Sequence, residues 1–428
     1  RSGRIEVVEA GLESIGPEVA EGARAIVHLA ARTDFKADGL DAYRPVNVGA
    51  ALRMAALAAR VGCPLHHVST AYVSGNAGGV FGEDDLDVGQ GHHNGYERSK
   101  WEAEVELRRA AGEGGFPLVV HRPGIVLPDS PRPGLDVGPG PLVHLRLLAG
   151  LEGRPDAPSR PIRCEGDPDG LLSLVGLDLV VRVLAEAALR TGWSGTSTYH
   201  LTASRPTRIA EVERAANATV AGLEVRLARP GTLGRPDAWE RLLARRAAVY
   251  RPYLALRTVH DRSRLERDFD AGDGAGEGWL ERVFAAHVRT WRTERLAPAE
   301  PADDRVPGYF RAFLAGKTGL VLVPGLSRLR AEFTVSVPSV GIHRLSIDQG
   351  RLRAVARVDA PSPNFDYELD AASFLDVVAG RTRPSTLFFD RRIRVRGDLH
   401  AALSTATALE DFFRLFPYVA EPVSGDRS

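Results

Sequence analysis

The chain has 428 residues, its 55 basic and 55 acidic side chains cancel to a formal net charge of zero, and its hydrophobic content is an ordinary 44%. That balance offers no bulk electrostatic attraction to nucleic acid. No apolar run reaches the roughly 18–20 residues that span a bilayer, and the opening RSGRIEVVEAG lacks the apolar core of a secretory signal.

Two cysteines, Cys63 and Cys164, cannot make a disulfide framework, and neither sits in a ligand-spaced cluster. A cytoplasmic, reducing compartment is therefore expected. Residues 4–8 (RIEVV) read as a short strand. Residues 25–31 (AIVHLAA) are a continuous apolar run ending in small residues, as in a buried parallel strand. A helix is expected over 41–61, a strand over 64–70, a helix over 96–111 and a further strand over 118–127, interrupted by Pro123 and Gly124. Alternating strands and helices predict an α/β domain with a mainly parallel sheet. Residues 128–172, rich in Pro and Gly, read as irregular segments around a substrate pocket. Helices are expected over 173–190 and 207–221 and a strand over 198–202. The stretch 222–295 reads as mostly helical. Residues 297–304 (APAEPADD) have the composition of a linker. Beyond it, 332–337, 342–348 and 352–359 are β-rich at hairpin-like spacing, followed by helices over 371–380 and 398–416.

Chemistry concentrates at Tyr96-Glu97-Arg98-Ser99-Lys100. Tyrosine and lysine four apart on a helix share a face. An ammonium beside a phenol favours phenolate and is expected to lower the tyrosine pKa. Such a tyrosine serves as general acid in carbonyl reduction or as base in alcohol oxidation. Lysines are scarce in this chain (Lys36, Lys100 and Lys317), so the one in this pattern is informative. Upstream, His67-Val68-Ser69-Thr70-Ala71-Tyr72-Val73 is a short strand ending in hydroxyls. Thr70, or as second choice Ser69, is positioned to stabilise a developing oxyanion. The alternative for such a residue is a strand-end cap.

The ordered set His28-Leu29-Ala30-Ala31, Asn47-Val48-Gly49, Val68 to Val73, Tyr96-x-x-x-Lys100 and Arg122-Pro123-Gly124-Ile125-Val126 resembles the extended short-chain dehydrogenases/reductases. It is closest to the branch of fatty acyl-CoA reductases and thioester reductase domains, the male sterility-like NAD-binding branch. The resemblance implies a Rossmann-type doubly wound parallel sheet and a catalytic triad of Thr70, Tyr96 and Lys100. It implies that Ala30 and Ala31 pass under the cofactor phosphates, that Asn47 lies near the cofactor, and that Pro123, Gly124, Ile125 and Val126 meet the nicotinamide carboxamide. Tyr96 and Lys100 would also contact the cofactor. NADP is the implied cofactor, with NAD as the alternative, and the implied reaction is reduction of an acyl thioester or other lipid-type carbonyl. A hydroxysteroid or secondary-alcohol dehydrogenase is the rival within this class, and a non-catalytic lipid-binding protein the rival outside it. The family's glycine-rich turn is absent from the first twenty residues. With no initiator methionine, the first βα unit is expected to precede Arg1, and the residue that separates NADP from NAD with it.

Residues 365–370 (FDYELD), 374–380 (FLDVVAG) and 392–398 (RIRVRGD), followed by an apolar helix, resemble the sterol-carrier-protein fold. That resemblance implies an α+β domain enclosing a hydrophobic tunnel, with Phe388, Phe389, Phe412, Phe413 and Phe416 placed to line it. A small partner-binding domain is the alternative. The expected organisation is a reductase domain over 1–295, with its substrate part mainly in 128–172 and 200–295, a linker over 296–305, and a lipid-binding domain over 306–420. The pairs His66-His67 and His92-His93 read as hydrogen-bonded histidines rather than metal ligands, Trp101 and Cys63 as core, and Arg241 to Arg246 as a solvated helix face.

Overall fold

A computed structural model of the protein describes residues 15–33, 39–128, 140–152, 158, 160–246, 248–293, 305–322, 329–390 and 392–418. The strand expected at 4–8, the stretch 129–139 and the linker residues 296–304 lie outside the described residues. The chain divides into two compact units. One comprises Arg1–His144, Pro161–Thr219 and Glu224–His287, the other Leu145–Arg160, Val220–Leu223 and Val288–Ser428.

The first unit is built on a parallel sheet. Its labelled strands are β1 (Ile26–His28), β2 (Leu65–Val68), β3 (Leu118–Pro123), β4 (Ile125–Leu127), β5 (Leu174–Gly176) and β6 (Thr196–Leu201). The order β1-β2-β3-β6 is parallel throughout, with Ile26 beside Leu65, Leu65 beside Leu118 and Leu118 beside Thr196. β4 pairs with β5, also in parallel. All six residues of β3 are buried, as expected for a strand covered on both faces.

Two helices, α1 (Ala50–Val61) and α2 (Gly95–Gly114), cover one face. Their small inward residues, Ala51, Ala55, Ala58 and Ala103, pack on Leu65, Leu118 and Val120. The helix α3 (Leu177–Leu189) covers the other face through Leu179, Val180 and Val183, against Val119, Tyr199 and Leu201. The helix expected over 41–61 is regular only from Ala50. Before it run a 3-10 turn at Leu40–Ala42 and a π-helical turn at Pro45–Gly49, because Pro45 has no N–H to complete an α-helical ladder.

Three sequence expectations are corrected. Residues 173–190 are not one helix, since Leu174–Gly176 is strand β5, buried beside β4. The stretch 222–295 holds strands at Val225–Ala228 and Thr258–His260, paired with Ile162–Glu165 and Gly79–Phe81 respectively. The segment 128–172 is only partly irregular, with a helix at Pro141–Leu151 and strands at Ile162–Glu165 and Leu171–Leu172. These strands are two to four residues long and pair across long separations, so neither alternation nor hairpin turns announce them.

The second unit is α+β. Its strands β7 (Ala331–Val337), β8 (Gly341–Asp348), β9 (Arg351–Val358), β10 (Phe365–Leu369) and β11 (Ile393–Gly397) lie in the order β9-β8-β7-β10-β11. Only β7 and β10 run parallel. The helices α4 (Ala371–Val378) and α5 (Leu399–Leu415) and a helical turn at Tyr309–Leu314 pack on one face of this sheet. Between them lies an apolar cleft with about 660 Å³ of atom-free space, part of it open to solvent, lined by residues that include Phe310, Phe333, Tyr367 and Phe374. Of the five phenylalanines expected to line it, Phe412 and Phe413 do so. Phe388 is buried away from the lining, Phe416 is 43% exposed, and the side chain of Phe389 lies outside the description.

One ion pair locks the first sheet. The Glu104 carboxylate of α2 takes two bonds from Arg122 of β3, with Nη2 at 2.7 Å and Nε at 3.0 Å, and both side chains are fully buried. We expect Arg122→Met, which leaves the buried Glu104 the looser pairing with Arg108 at 3.9 Å, to cost about 3–5 kcal/mol in urea unfolding. The double change Glu104→Leu with Arg122→Met should recover most of that loss.

Candidate functional site

The site gathers where β2 and β3 end. Asn94 starts α2 as its N-cap, its Oδ1 accepting from the Glu97 N–H at 2.9 Å. Glu97 reaches back to accept the His93 N–H at 2.8 Å, a variant of the capping box. This fixes Tyr96 in the first turn of the helix, and Lys100 follows one turn later on the same face.

The structure brings Thr70, Tyr96 and Lys100 to one sheet edge. Thr70 lies two residues beyond the end of β2, is 5% exposed, and hydrogen-bonds the Tyr96 phenol. Lys100 is 2% exposed and its Nζ donates to the carbonyl of Val68, the last residue of β2, at 2.6 Å. Ser69 turns the other way and gives its hydroxyl to Glu104 at 2.5 Å. Of the two hydroxyls weighed from the sequence, Thr70 is therefore the one beside the phenol.

Burial dominates the electrostatics. It pulls the Lys100 ammonium down to about 8, against an upward push from Glu104. It drives the Tyr96 phenol up to about 12, with the Thr70 hydrogen bond lowering it and the Glu97 charge raising it. The sequence expectation of a lowered tyrosine pKa is thus corrected. Desolvation decides the shift, and the Lys100 ammonium, directed at the Val68 carbonyl, is not among its causes. At neutral pH the phenol keeps its proton.

Asn47 sits behind the loop that leaves β1. It is fully buried, its Oδ1 accepts from the Arg32 N–H at 2.7 Å, and its Nδ2 donates to the Arg32 carbonyl at 3.1 Å and to Ser99 Oγ at 2.8 Å. It pins the loop that carries Ala30 and Ala31, of which Ala30 is exposed and Ala31 half-buried. Pro123 closes β3 and is buried, whereas Gly124, Ile125 and Val126 are half-buried. Gly124 must be glycine because a Cβ there would stand 2.2 Å from the Ser173 carbonyl oxygen. Gly75 is equally constrained, with φ of 49° and a would-be Cβ 2.0 Å from the Gly91 carbonyl oxygen.

Under Lys100 lies a histidine pair. His28 and His67 are register neighbours on β1 and β2, and their Nδ1 atoms are 3.2 Å apart. His66 points to the opposite face, onto His121 at 3.2 Å. His93 bonds Glu97, and His92 bonds the Val73 carbonyl. Among the described residues no group of three or more His, Cys, Asp or Glu is arranged to hold a metal ion. Trp101 is half-buried rather than core, since its indole N–H reaches the Leu86 carbonyl at 2.9 Å and Arg98 lies over its ring. Cys63 is buried, next to the left-handed Gly62 that ends α1. Sequence reasoning missed Tyr253, whose hydroxyl donates to Glu97 and accepts from Asn94 at 2.8 Å. It quoted Arg122 only as the head of a motif and missed its pairing with Glu104, although an arginine inside the apolar run LVVHRP and an acid one turn beyond Lys100 were visible signals.

Residues 12–181 match the family model described as male sterility protein, an NAD-binding domain, and residues 325–410 match the SCP-2 sterol transfer family. The chain carries a male sterility-type NAD-binding domain and an SCP-2 domain. Hybrid PKS-NRPS synthetase mpsA of Macrophomina phaseolina is 38% identical over 178 residues, 41% of this chain and 4% of the relative. Hybrid PKS-NRPS synthetase pvhA of Talaromyces variabilis is 31% identical over 170 residues, 39% of this chain and 4% of the relative. The chain thus spans only a few per cent of the length of the curated relatives it matches. The solved structure of MoeE5 in complex with UDP-glucuronic acid and NAD is similar at a TM-score of 0.48 and 19% identity, covering 67% of this chain and 86% of that one. DesIV, a dTDP-glucose 4,6-dehydratase from Streptomyces venezuelae with NAD and TYD bound, is similar at 0.46 and 20%, covering 64% and 75%. Among the described residues no helix is long and apolar enough to cross a membrane.

The male sterility-type domain makes a pH prediction through Lys100. Between about 8, its folded pKa, and 10.5, its ordinary value, the unfolded chain holds a proton that the folded chain has released. Stability contributed by this group therefore rises with pH across that window. In urea unfolding, Lys100→Met should be more stable than the parent below pH 8, by a margin that shrinks towards pH 10.5. A margin that stays flat would show that Lys100 is not desolvated as described.

Proposed function

We propose that the male sterility-type domain is an NADPH-dependent reductase of an acyl thioester or related lipid-type carbonyl. The observation that carries this reading is the Tyr96 phenol, hydrogen-bonded to Thr70 and one helical turn from Lys100, at the carboxyl edge of a parallel sheet. Open α/β sheets bind dinucleotides at that edge.

The residues present fit a nicotinamide cofactor. Ala30 and Ala31, exposed and half-buried respectively, offer small side chains where β1 ends, leaving room for the phosphates and the adenine side. Asn47 is a positioning residue that keeps their loop in place. Pro123 to Val126 border the carboxamide side, and the Lys100 ammonium is the donor for the ribose. When bound, the nicotinamide supplies hydride to the carbonyl carbon.

The protein's own groups handle the oxygen. Thr70 Oγ1 holds the carbonyl oxygen as negative charge builds on it. Tyr96, protonated at neutral pH because burial disfavours phenolate, gives its proton to that oxygen. Lys100 stabilises the phenolate left behind; its burial strengthens that attraction. The SCP-2 cleft holds the apolar part of a lipid, raising its concentration near the reductase through the tether between the two domains.

The test is oxidation of NADPH on adding a long-chain acyl-CoA to the full-length protein. Tyr96→Phe should lower kcat about a hundredfold or more with an unchanged circular dichroism spectrum. Thr70→Val should fall by a similar factor with little change in KM. Full activity in Tyr96→Phe would remove the tyrosine from the mechanism. Oxidation of secondary alcohols with no thioester reduction would favour the alcohol dehydrogenase reading.

A further inference from the structure

The Thr70 hydroxyl is only as well placed as the turn it begins. Thr70 caps the turn Ala71–Ser74, its Oγ1 accepting the Tyr72 N–H at 3.3 Å, so a tilt of the turn moves that oxygen. The Gly124–Val126 loop is held from behind in a similar way. The Ser173 carbonyl accepts the Ile125 N–H at 2.8 Å and leaves no room for a side chain at position 124.

Both arrangements end on one imidazole. His260 Nδ1 meets Ser173 Oγ at 2.7 Å and its Nε2 meets Ser74 Oγ at 3.0 Å, and all three side chains are buried. The ring also hydrogen-bonds the backbone of Ala71, the residue next to Thr70. Burial pulls the imidazole down to about 4, against the Ala71 bond and aided by the Arg122 charge, so the ring is neutral at neutral pH. A neutral ring has one N–H and one bare nitrogen. A hydroxyl can donate or accept, so both serine bonds form in either tautomer. The His260 backbone is anchored separately. It sits beside Phe81 in the parallel register, and the Asp261 carbonyl accepts from His200 Nδ1 of β6 at 2.6 Å.

A packing role needs neither nitrogen, and Phe would fill much the same space. This ring instead commits both nitrogens to the segments on either side of the site. We infer that His260 is a positioning residue that sets the gap between the Thr70 hydroxyl and the Gly124–Val126 loop, and with it the distance a hydride travels from a nicotinamide at that loop to a carbonyl held at Thr70. The inference rests on the reductase reading and adds to it a residue that touches neither cofactor nor substrate. Misplacing reacting groups by about 1 Å can cost roughly a hundredfold in rate.

Hydrogen exchange and kinetics of the full-length chain test it together. His260→Phe keeps the packing and cuts both bonds. It should speed amide exchange in 71–75 and in 123–127, and lower kcat for acyl-CoA-dependent NADPH oxidation about tenfold to a hundredfold with KM within about twofold. NADPH carrying deuterium as the transferred hydride should show a larger isotope effect on kcat than in the parent, which a loss of stability alone does not produce. Ser74→Ala should loosen 71–75 alone and Ser173→Ala 123–127 alone, and these single cuts decide the matter if His260→Phe does not fold. His260→Asn, whose amide reaches where Nδ1 stands, should restore slow exchange to 123–127 only. Unchanged exchange in either segment of His260→Phe, or an unchanged kcat and isotope effect, would overturn the positioning role. A parent that does not oxidise NADPH with acyl-CoA would overturn the reductase reading instead, and the exchange pattern would still uphold or reject the tie between the two segments.

Discussion

Glu104 reaches from the middle of α2 into the interior of the first unit, where its carboxylate meets Arg122 from β3 and Ser69 from the end of β2. On its far side Arg122 contacts His200 of β6 at 3.2 Å. A single buried charge pair therefore ties one helix to three neighbouring strands. In a low-dielectric interior neither partner tolerates loss of the other, so the depth of α2 against the sheet is closely specified. Positions 96, 100 and 104 share one helix face. The contact that fixes Glu104 thereby fixes Lys100 one turn earlier and Tyr96 two turns earlier, above the strand ends.

The same burial that positions these groups tunes them. A buried ammonium is costly, and Lys100 offsets part of that cost through its bond to the Val68 carbonyl. Tyr96 meets the opposite demand. Desolvated by burial and next to the Glu97 charge, its phenol resists ionisation, which suits the proton-donor role proposed for it.

Much of this was legible in the sequence. The long helices and the central strands declare themselves by period, composition and apolar runs, as at 96–111 and 25–31. In the C-terminal unit β8 alternates most cleanly, His343, Leu345 and Ile347 being buried and Arg344 exposed. The Tyr96 and Lys100 pair is visible because its members are close in sequence and the lysine is rare. What stayed hidden depends on distant partners. Leu174–Gly176 looks like the start of a helix until β4 claims it, and Thr258–His260 is a strand only because Gly79–Phe81 lies alongside. The direction of the tyrosine shift was misjudged because sequence shows a neighbouring charge but not the loss of water. The roles of Asn47 and Ser69 as ties depend on Arg32, Ser99 and Glu104, contacts that no local pattern encodes.

Tyr253 lies more than 150 residues beyond Glu97 in the chain, yet its hydroxyl holds the carboxylate adjacent to Tyr96 and is itself held by the N-cap Asn94. The downstream segment of the first unit is thus joined to the start of α2 by one phenol. Any segment exchanged for this one would leave Glu97 and Asn94 without that partner unless it brought its own hydroxyl to the same spot.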